Sequence, residues 1–157
     1  MPVLPEWINF QFTPKIHFEI DCGYKVGSFA KNVGNRIVII TTQQELDNTE
    51  ELSIIKTSLE KHSEGVIIYD DIQDAATFKD MDSASHFCRI ANANCIVAFG
   101  GFESINAAKA VALLSANDCF TNDLMLGKKV PKKPGIPLIT VPSRPLLGNE
   151  CSPFFTL

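Results

Sequence analysis

Short, unbroken apolar runs alternate along this chain with longer amphipathic stretches. Arg36-Ile37-Val38-Ile39-Ile40-Thr41 is the first such run. Gly65-Val66-Ile67-Ile68-Tyr69, Cys95-Ile96-Val97-Ala98-Phe99 and Pro137-Leu138-Ile139-Thr140-Val141 follow it. Runs rich in β-branched residues, with no polar alternation, suit strands covered on both faces, as a parallel sheet requires. The stretches between them have helical spacing. Glu50 to His62 sets Leu52, Ile55 and Leu59 on one helix face, and Gly65 follows as a stop. Ser83 to Asn92 repeats the pattern with Ala84, Phe87, Cys88 and Ala91. Ser104 to Ala116 is apolar nearly all round, which predicts a helix buried against the sheet. Ile16-His17-Phe18-Glu19-Ile20 alternates instead, and predicts a half-exposed edge strand with His17 facing solvent. Phe154-Phe155-Thr156-Leu157 also reads as strand-like.

Strands that alternate with helices at this spacing form βαβ units, and right-handed crossovers stack them in layers. The expected fold class is α/β: a three-layer, Rossmann-like domain with a mostly parallel sheet and helices on both faces. At 157 residues the chain has room for one such domain, covering 1–157, and for no second full one.

Composition narrows the function. The apolar fraction is 45% and the charged fraction 20%, which are globular values. No apolar run approaches the ~18 residues of a membrane span. Met1 to Trp7 lacks the basic and apolar regions of a secretory signal, so a cytoplasmic location is expected. The net charge of −4 argues against general nucleic-acid binding. Lys128-Lys129-Val130-Pro131-Lys132-Lys133-Pro134-Gly135 is a local exception that reads as a solvated loop. Cys22, Cys88, Cys95, Cys119 and Cys151 include no C-x-x-C pair, and His17, His62 and His86 are far apart. Neither a disulfide framework nor a metal site is expected from this chain alone.

The stretch with most chemical promise is Phe99-Gly100-Gly101-Phe102-Glu103-Ser104-Ile105-Asn106-Ala107-Ala108-Lys109, which runs strand, glycine turn, helix. Adjacent glycines at the carboxyl end of a strand let a ligand approach the backbone. The helix start beyond them offers free N–H groups and a partial positive charge to a phosphate. Ligands of open α/β sheets bind at that edge. A plain βα turn that happens to use glycine has the same spacing, as does a sugar-phosphate or mononucleotide site of another α/β fold.

These residues resemble the iron-containing alcohol dehydrogenase-like family, with its glycerol dehydrogenase and dehydroquinate synthase relatives. That family carries Gly-Gly-Gly-Ser-x-x-Asp-x-Ala-Lys after a strand, and Gly100 to Lys109 aligns with it. The family's Pro-Leu-Ile-x-Ile-Pro-Thr-Thr-x-Gly-Thr-Gly-Ser-Glu-x-Thr aligns without a gap with Pro137 to Ser152. Phe12 to Phe18 looks like its first strand, and Arg36 to Thr42 like its first nucleotide strand.

The resemblance implies the N-terminal, dinucleotide-binding half of a two-domain NAD(P)-dependent oxidoreductase. In the family a separate helical C-terminal domain supplies the aspartate and histidines that hold iron or zinc. This chain would carry no catalytic or metal residues of its own. Its expected partners are such a helical domain or a second copy, with no nucleic acid and no membrane. The resemblance places Gly100, Gly101, Ser104, Asn106 and Lys109 at the cofactor, with Thr42, Ser143 and Arg144 nearby; NAD and NADP are both open.

The departures from the family pattern fall on the same residues. Phe102 replaces the third glycine, where a ring would fill pyrophosphate space, and Glu103 replaces a serine and opposes a phosphate. Asn106 replaces an aspartate, and Ser143-Arg144 replaces paired threonines. Thr41-Thr42-Gln43 lacks the aspartate that bonds the adenosine ribose. Two readings follow: a cofactor-binding domain that is not catalytic alone, or a degenerate domain kept as an interaction or structural module. Arg144 either receives a phosphate or forms a salt bridge with Glu103 or Glu150.

Overall fold

The computed structural model describes residues 14–47, 49–73, 76–146 and 148–156. Four strands form one parallel sheet: β1 (Arg36–Thr42), β2 (Gly65–Ile72), β3 (Cys95–Gly100) and β4 (Leu138–Pro142). Their order is β2-β1-β3-β4, with Arg36 opposite Gly65, Ile37 opposite Cys95 and Ile96 opposite Leu138. The helices are α1 (Val26–Ala30), α2 (Thr49–Glu60), α3 (Phe78–Ile90), α4 (Phe102–Ala116) and α5 (Thr121–Met125).

The unbroken apolar runs of the two central strands, β1 and β3, are explained by what covers them, while β2 and β4 lie at the edges and stay partly exposed. Val38, Ile40, Ile96 and Ala98 face one way, onto Met81, Ala84 and Cys88 of α3 and Ile105, Ala108 and Val111 of α4. Ile37, Ile39, Cys95, Val97 and Phe99 face the other way, onto Val26 and Ala30 of α1 and Leu52, Ile55 and Leu59 of α2. Successive strand residues point to opposite faces, so a strand roofed on both sides must be apolar at every position. Each large aliphatic side chain buried here contributes about 1.5–3 kcal/mol. The expected three-layer α/β class is the observed one.

Boundaries moved where capping chemistry outranks periodicity. α3 begins at Phe78, earlier than Ser83, because Thr77 and Asp80 form a capping box. The Thr77 hydroxyl accepts from the Asp80 N–H at 3.3 Å, and the Asp80 carboxylate accepts from the Thr77 N–H at 2.8 Å. Gly65 opens β2 instead of stopping α2, which ends at Glu60. The Ser63 hydroxyl donates to the Leu59 carbonyl at 2.8 Å in the turn between them.

Two expected strands are not formed. Residues 14–20 are irregular, with Phe18 98% exposed, although His17 does face solvent and stacks on Phe29 with ring centroids 3.8 Å apart. Alternation specifies a face but not a ladder: in the described residues β4 keeps one free edge, and this segment does not pair with it. Phe12 and Thr13 lie outside the described residues. Phe154 to Thr156 is likewise irregular, because α4 side chains take up its backbone. The lysine loop is exposed, as expected. Asn117 Oδ1 anchors it, accepting from the Lys132 and Lys133 N–H groups at 2.9 and 3.0 Å.

Candidate functional site

Three strand ends converge at the carboxyl edge of the sheet. β3 ends at Gly100, whose φ of +129° is open to glycine and strained for other residues. Gly101 follows as the N-cap of α4 and brings no capping side chain. Pro142 at the end of β4 lies opposite Gly100, and the next N–H, that of Ser143, donates to the Gly100 carbonyl at 3.0 Å. This bond sets Ser143 and Arg144 beside the glycine turn. Beyond Thr42, a 3₁₀ turn over Gln43–Asp47 brings Glu45 under it.

A charged cluster fills this place. Arg144 Nη1 donates to Glu45 Oε1 at 3.0 Å, and Ser143 Oγ donates to the same oxygen at 3.2 Å. Arg144 Nη2 lies 3.6 Å from Glu103 Oε2 in the first turn of α4. The Glu45 side chain is 3% exposed and the Arg144 side chain 53%. The guanidinium is stretched over Gly101: a Cβ there would collide with Nη2 and lie 2.5 Å from Cζ. A Cβ on Gly100 would meet Ser104 Oγ at 2.7 Å and Glu45 Cγ at 2.8 Å. The glycines thus do provide close approach, and the groups that approach are the chain's own.

Further along α4, Asn106 and Lys109 are turned to a different task. The Lys109 ammonium donates to the Asn149 carbonyl at 2.6 Å, Asn149 Oδ1 at 2.8 Å and the Phe154 carbonyl at 2.9 Å. Asn106 Nδ2 donates to the Thr156 carbonyl, and its Oδ1 accepts from the Thr156 N–H at 2.8 Å. Together they hold residues 149–156 against α4. Burial pulls the Lys109 pKa below the ordinary lysine value, partly countered by the Glu150 charge.

The structure therefore gathers Gly100, Gly101, Ser104, Ser143 and Arg144 at one place and turns Asn106 and Lys109 toward residues 149–156. Thr42 is buried in the sheet, opposite Ile72. Arg144 forms the salt bridge to Glu103, but Glu45 takes the place anticipated for Glu150. Phe102 is 43% exposed at the start of α4, and it is Arg144 that stands over Gly101. Glu45 was missed in the sequence. It lies 99 residues from Arg144, and no local spacing marks it.

The cluster bears directly on a dinucleotide. Ser104 Oγ is buried without a hydrogen-bond partner at a helix start, a feature that suits a phosphate. Against it, a guanidinium covers the backbone a pyrophosphate would approach, and two carboxylates outnumber that one positive charge. As arranged, these residues do not fit a pyrophosphate. Nor do the described residues offer three or more His, Cys, Asp or Glu grouped to hold a metal ion. A cleft of about 1350 Å³ runs along the free edge of β4 and touches Lys109, Ser143 and Arg144. It leaves out Gly100 and Gly101, so it is the space beside an edge strand and not the glycine turn.

The model of the iron-containing alcohol dehydrogenase family matches residues 13–157. The mitochondrial hydroxyacid-oxoacid transhydrogenase of Caenorhabditis elegans is 27% identical over 131 residues, which are 80% of this chain and 28% of that protein. Its Xenopus laevis counterpart is 28% identical over 132 residues, with the same coverage. The chain thus spans little more than a quarter of the length of these curated relatives. Among solved structures, the NADH-dependent butanol dehydrogenase A of Thermotoga maritima superposes with a TM-score of 0.80 at 19% identity, over 88% of this chain and 35% of that one. The sulfoacetaldehyde reductase of Bifidobacterium kashiwanohense, solved with NAD+, gives 0.79 at 20% identity, over 92% and 38%. Among the described residues, no helix is long and apolar enough to cross a membrane.

Proposed function

Because this chain belongs to the iron-containing alcohol dehydrogenase family, we propose that it is a nucleotide-side domain of that family whose dinucleotide site is closed. It then serves as a non-catalytic structural or interaction module. One observation carries this reading: the edge of the sheet that would receive phosphates is already occupied by the Glu45–Arg144–Glu103 cluster. Displacing Arg144 would strip a buried carboxylate of its ion-pair partner and leave two carboxylates facing a phosphate, and both effects oppose binding. A helical domain or a second copy is the partner that suits such a module. Five free cysteines suit a reducing compartment such as the cytoplasm.

Titration of the chain with NADH and NADPH, followed by nicotinamide fluorescence and melting temperature, tests the reading. No change is expected up to millimolar ligand, and saturable binding of either cofactor would overturn it. A second reading, a working NAD(P) site on a domain not catalytic alone, is favoured by the unpartnered Ser104 hydroxyl and by the NAD+ complex of a structural neighbour. The same titration decides between them.

A further inference from the structure

We infer that Glu45 is the residue that excludes dinucleotides, by holding Arg144 over Gly101; this rests on the closed-site reading above. The family motif points elsewhere, to Phe102 and Glu103, which replace a glycine and a serine. The geometry reverses that emphasis. Phe102 is the first residue of α4 and is partly exposed, so removing its ring vacates little of the turn. Glu103 is the more distant anion, at 3.6 Å from the guanidinium.

Glu45 is nearer, at 3.0 Å, and is buried. Its aliphatic stem packs at the place a Cβ on Gly100 would take. The Ser143 hydroxyl donates to the same carboxylate oxygen as Arg144 does, which fixes that oxygen on the β4 side of the turn. A buried carboxylate 3.0 Å from a guanidinium orients it more strongly than a half-buried one at 3.6 Å. With Gln in place of Glu45, Glu103 is the one carboxylate among the described residues left to hold Arg144, which then turns outward into solvent. The backbone N–H groups at the start of α4 and the Ser104 hydroxyl then face open space, as a pyrophosphate requires.

Two paired variants test this. Glu45→Gln combined with Arg144→Ser should gain saturable, sub-millimolar NADH binding where the parent shows none. Phe102→Gly combined with Glu103→Ser should remain without binding. The inference is overturned if the first pair folds and still binds nothing, or if the second pair alone acquires binding. A parent chain that binds NADH would instead overturn the closed-site reading itself, so the two failures are distinguishable.

Should the first pair not fold, Gly101→Ala supplies an independent measurement. Gly101 has a φ of −84°, which alanine adopts freely, and the three atoms nearest a Cβ there all belong to Arg144. The substitution should lower the melting temperature by several degrees in the parent and hardly at all in an Arg144→Ser background. Equal losses in the two backgrounds would show that Arg144 does not lie over Gly101, and would end the inference.

Discussion

The two ends of the central strands are fastened by different chemistry. At the amino ends of β1 and β3 the central tie is a neutral amide, Asn94, with Arg36 and Glu64 as exposed charges around it. Asn94 Oδ1 accepts from the Asn35 and Arg36 N–H groups, each at 2.9 Å, and its Nδ2 donates to Asn35 Oδ1 at 2.8 Å. At the carboxyl ends the tie is ionic, from Glu45 through Arg144 to Glu103. A neutral amide such as Asn94 satisfies the backbone groups around it without attracting an ion. An ionic cluster beside a helix N-terminus competes for the anion that such a place favours. In a parallel sheet every strand points its carboxyl end the same way, so binding chemistry collects at one edge. Here the same edge shows how a domain can keep its fold while that chemistry is turned inward.

The comparison can be broken in several ways. The largest effect is alkaline. Burial pushes the thiols of Cys88 and Cys95 up to about 11 from an ordinary 9. The folded state favours the neutral thiol, so its stabilisation is complete below pH 9 and is lost as pH rises through about 11. Stability should fall by up to about 1.4 kcal/mol per pH unit for each thiol, read by urea unfolding. A flat profile there would contradict the burial of both groups.

Next in size, Asn94→Ala leaves two backbone N–H groups without their acceptor and should cost about 2–3 kcal/mol. That is a drop in melting temperature of roughly 4–12 °C. Raising salt should not rescue it.

Lys109→Met removes three hydrogen bonds to residues 149–156 and should cost about 1–2 kcal/mol. The loosened segment should be cut first by a protease during limited digestion. Cleavage elsewhere would show that Lys109 is not what holds it.

The smallest effect is expected at the carboxyl end. Glu45→Gln should change stability by less than about 1 kcal/mol, since its partner Arg144 is half exposed and screened. The difference should shrink further at roughly 1 M salt, where the Debye length is about 3 Å. A loss as large as that of Asn94→Ala would mean that the ionic end is the structural one.

Most of the fold was legible along the chain. The four apolar runs are the four strands, and the long helices lie where their spacing put them. β1 and β3 are roofed on both faces, as an unbroken apolar run implies, whereas β2 and β4 carry the same kind of run at the sheet's edges and stay partly exposed. The errors came where periodicity is not the deciding force. Thr77 lengthens α3 by capping it, residues 16–20 alternate but do not join the sheet, and Thr156 gives its backbone to Asn106.

The site was half legible. The glycine turn, Ser104, Ser143 and Arg144 were marked by motif and do meet. Asn106 and Lys109 carried the same mark and are spent on holding the chain's own segment. Glu45 carried none.

What the amino-acid sequence determined by itself is the layered α/β fold, the family and the position of the glycine turn. All three follow from short-range pattern: burial period, turn chemistry and motif order. Only the tertiary structure decided what occupies that turn. A carboxylate just past β1 and a guanidinium just past β4 are 99 positions apart in the chain and meet because β3 lies between their strands. Charge pairing at 3 Å depends on that strand order, and no local pattern encodes it.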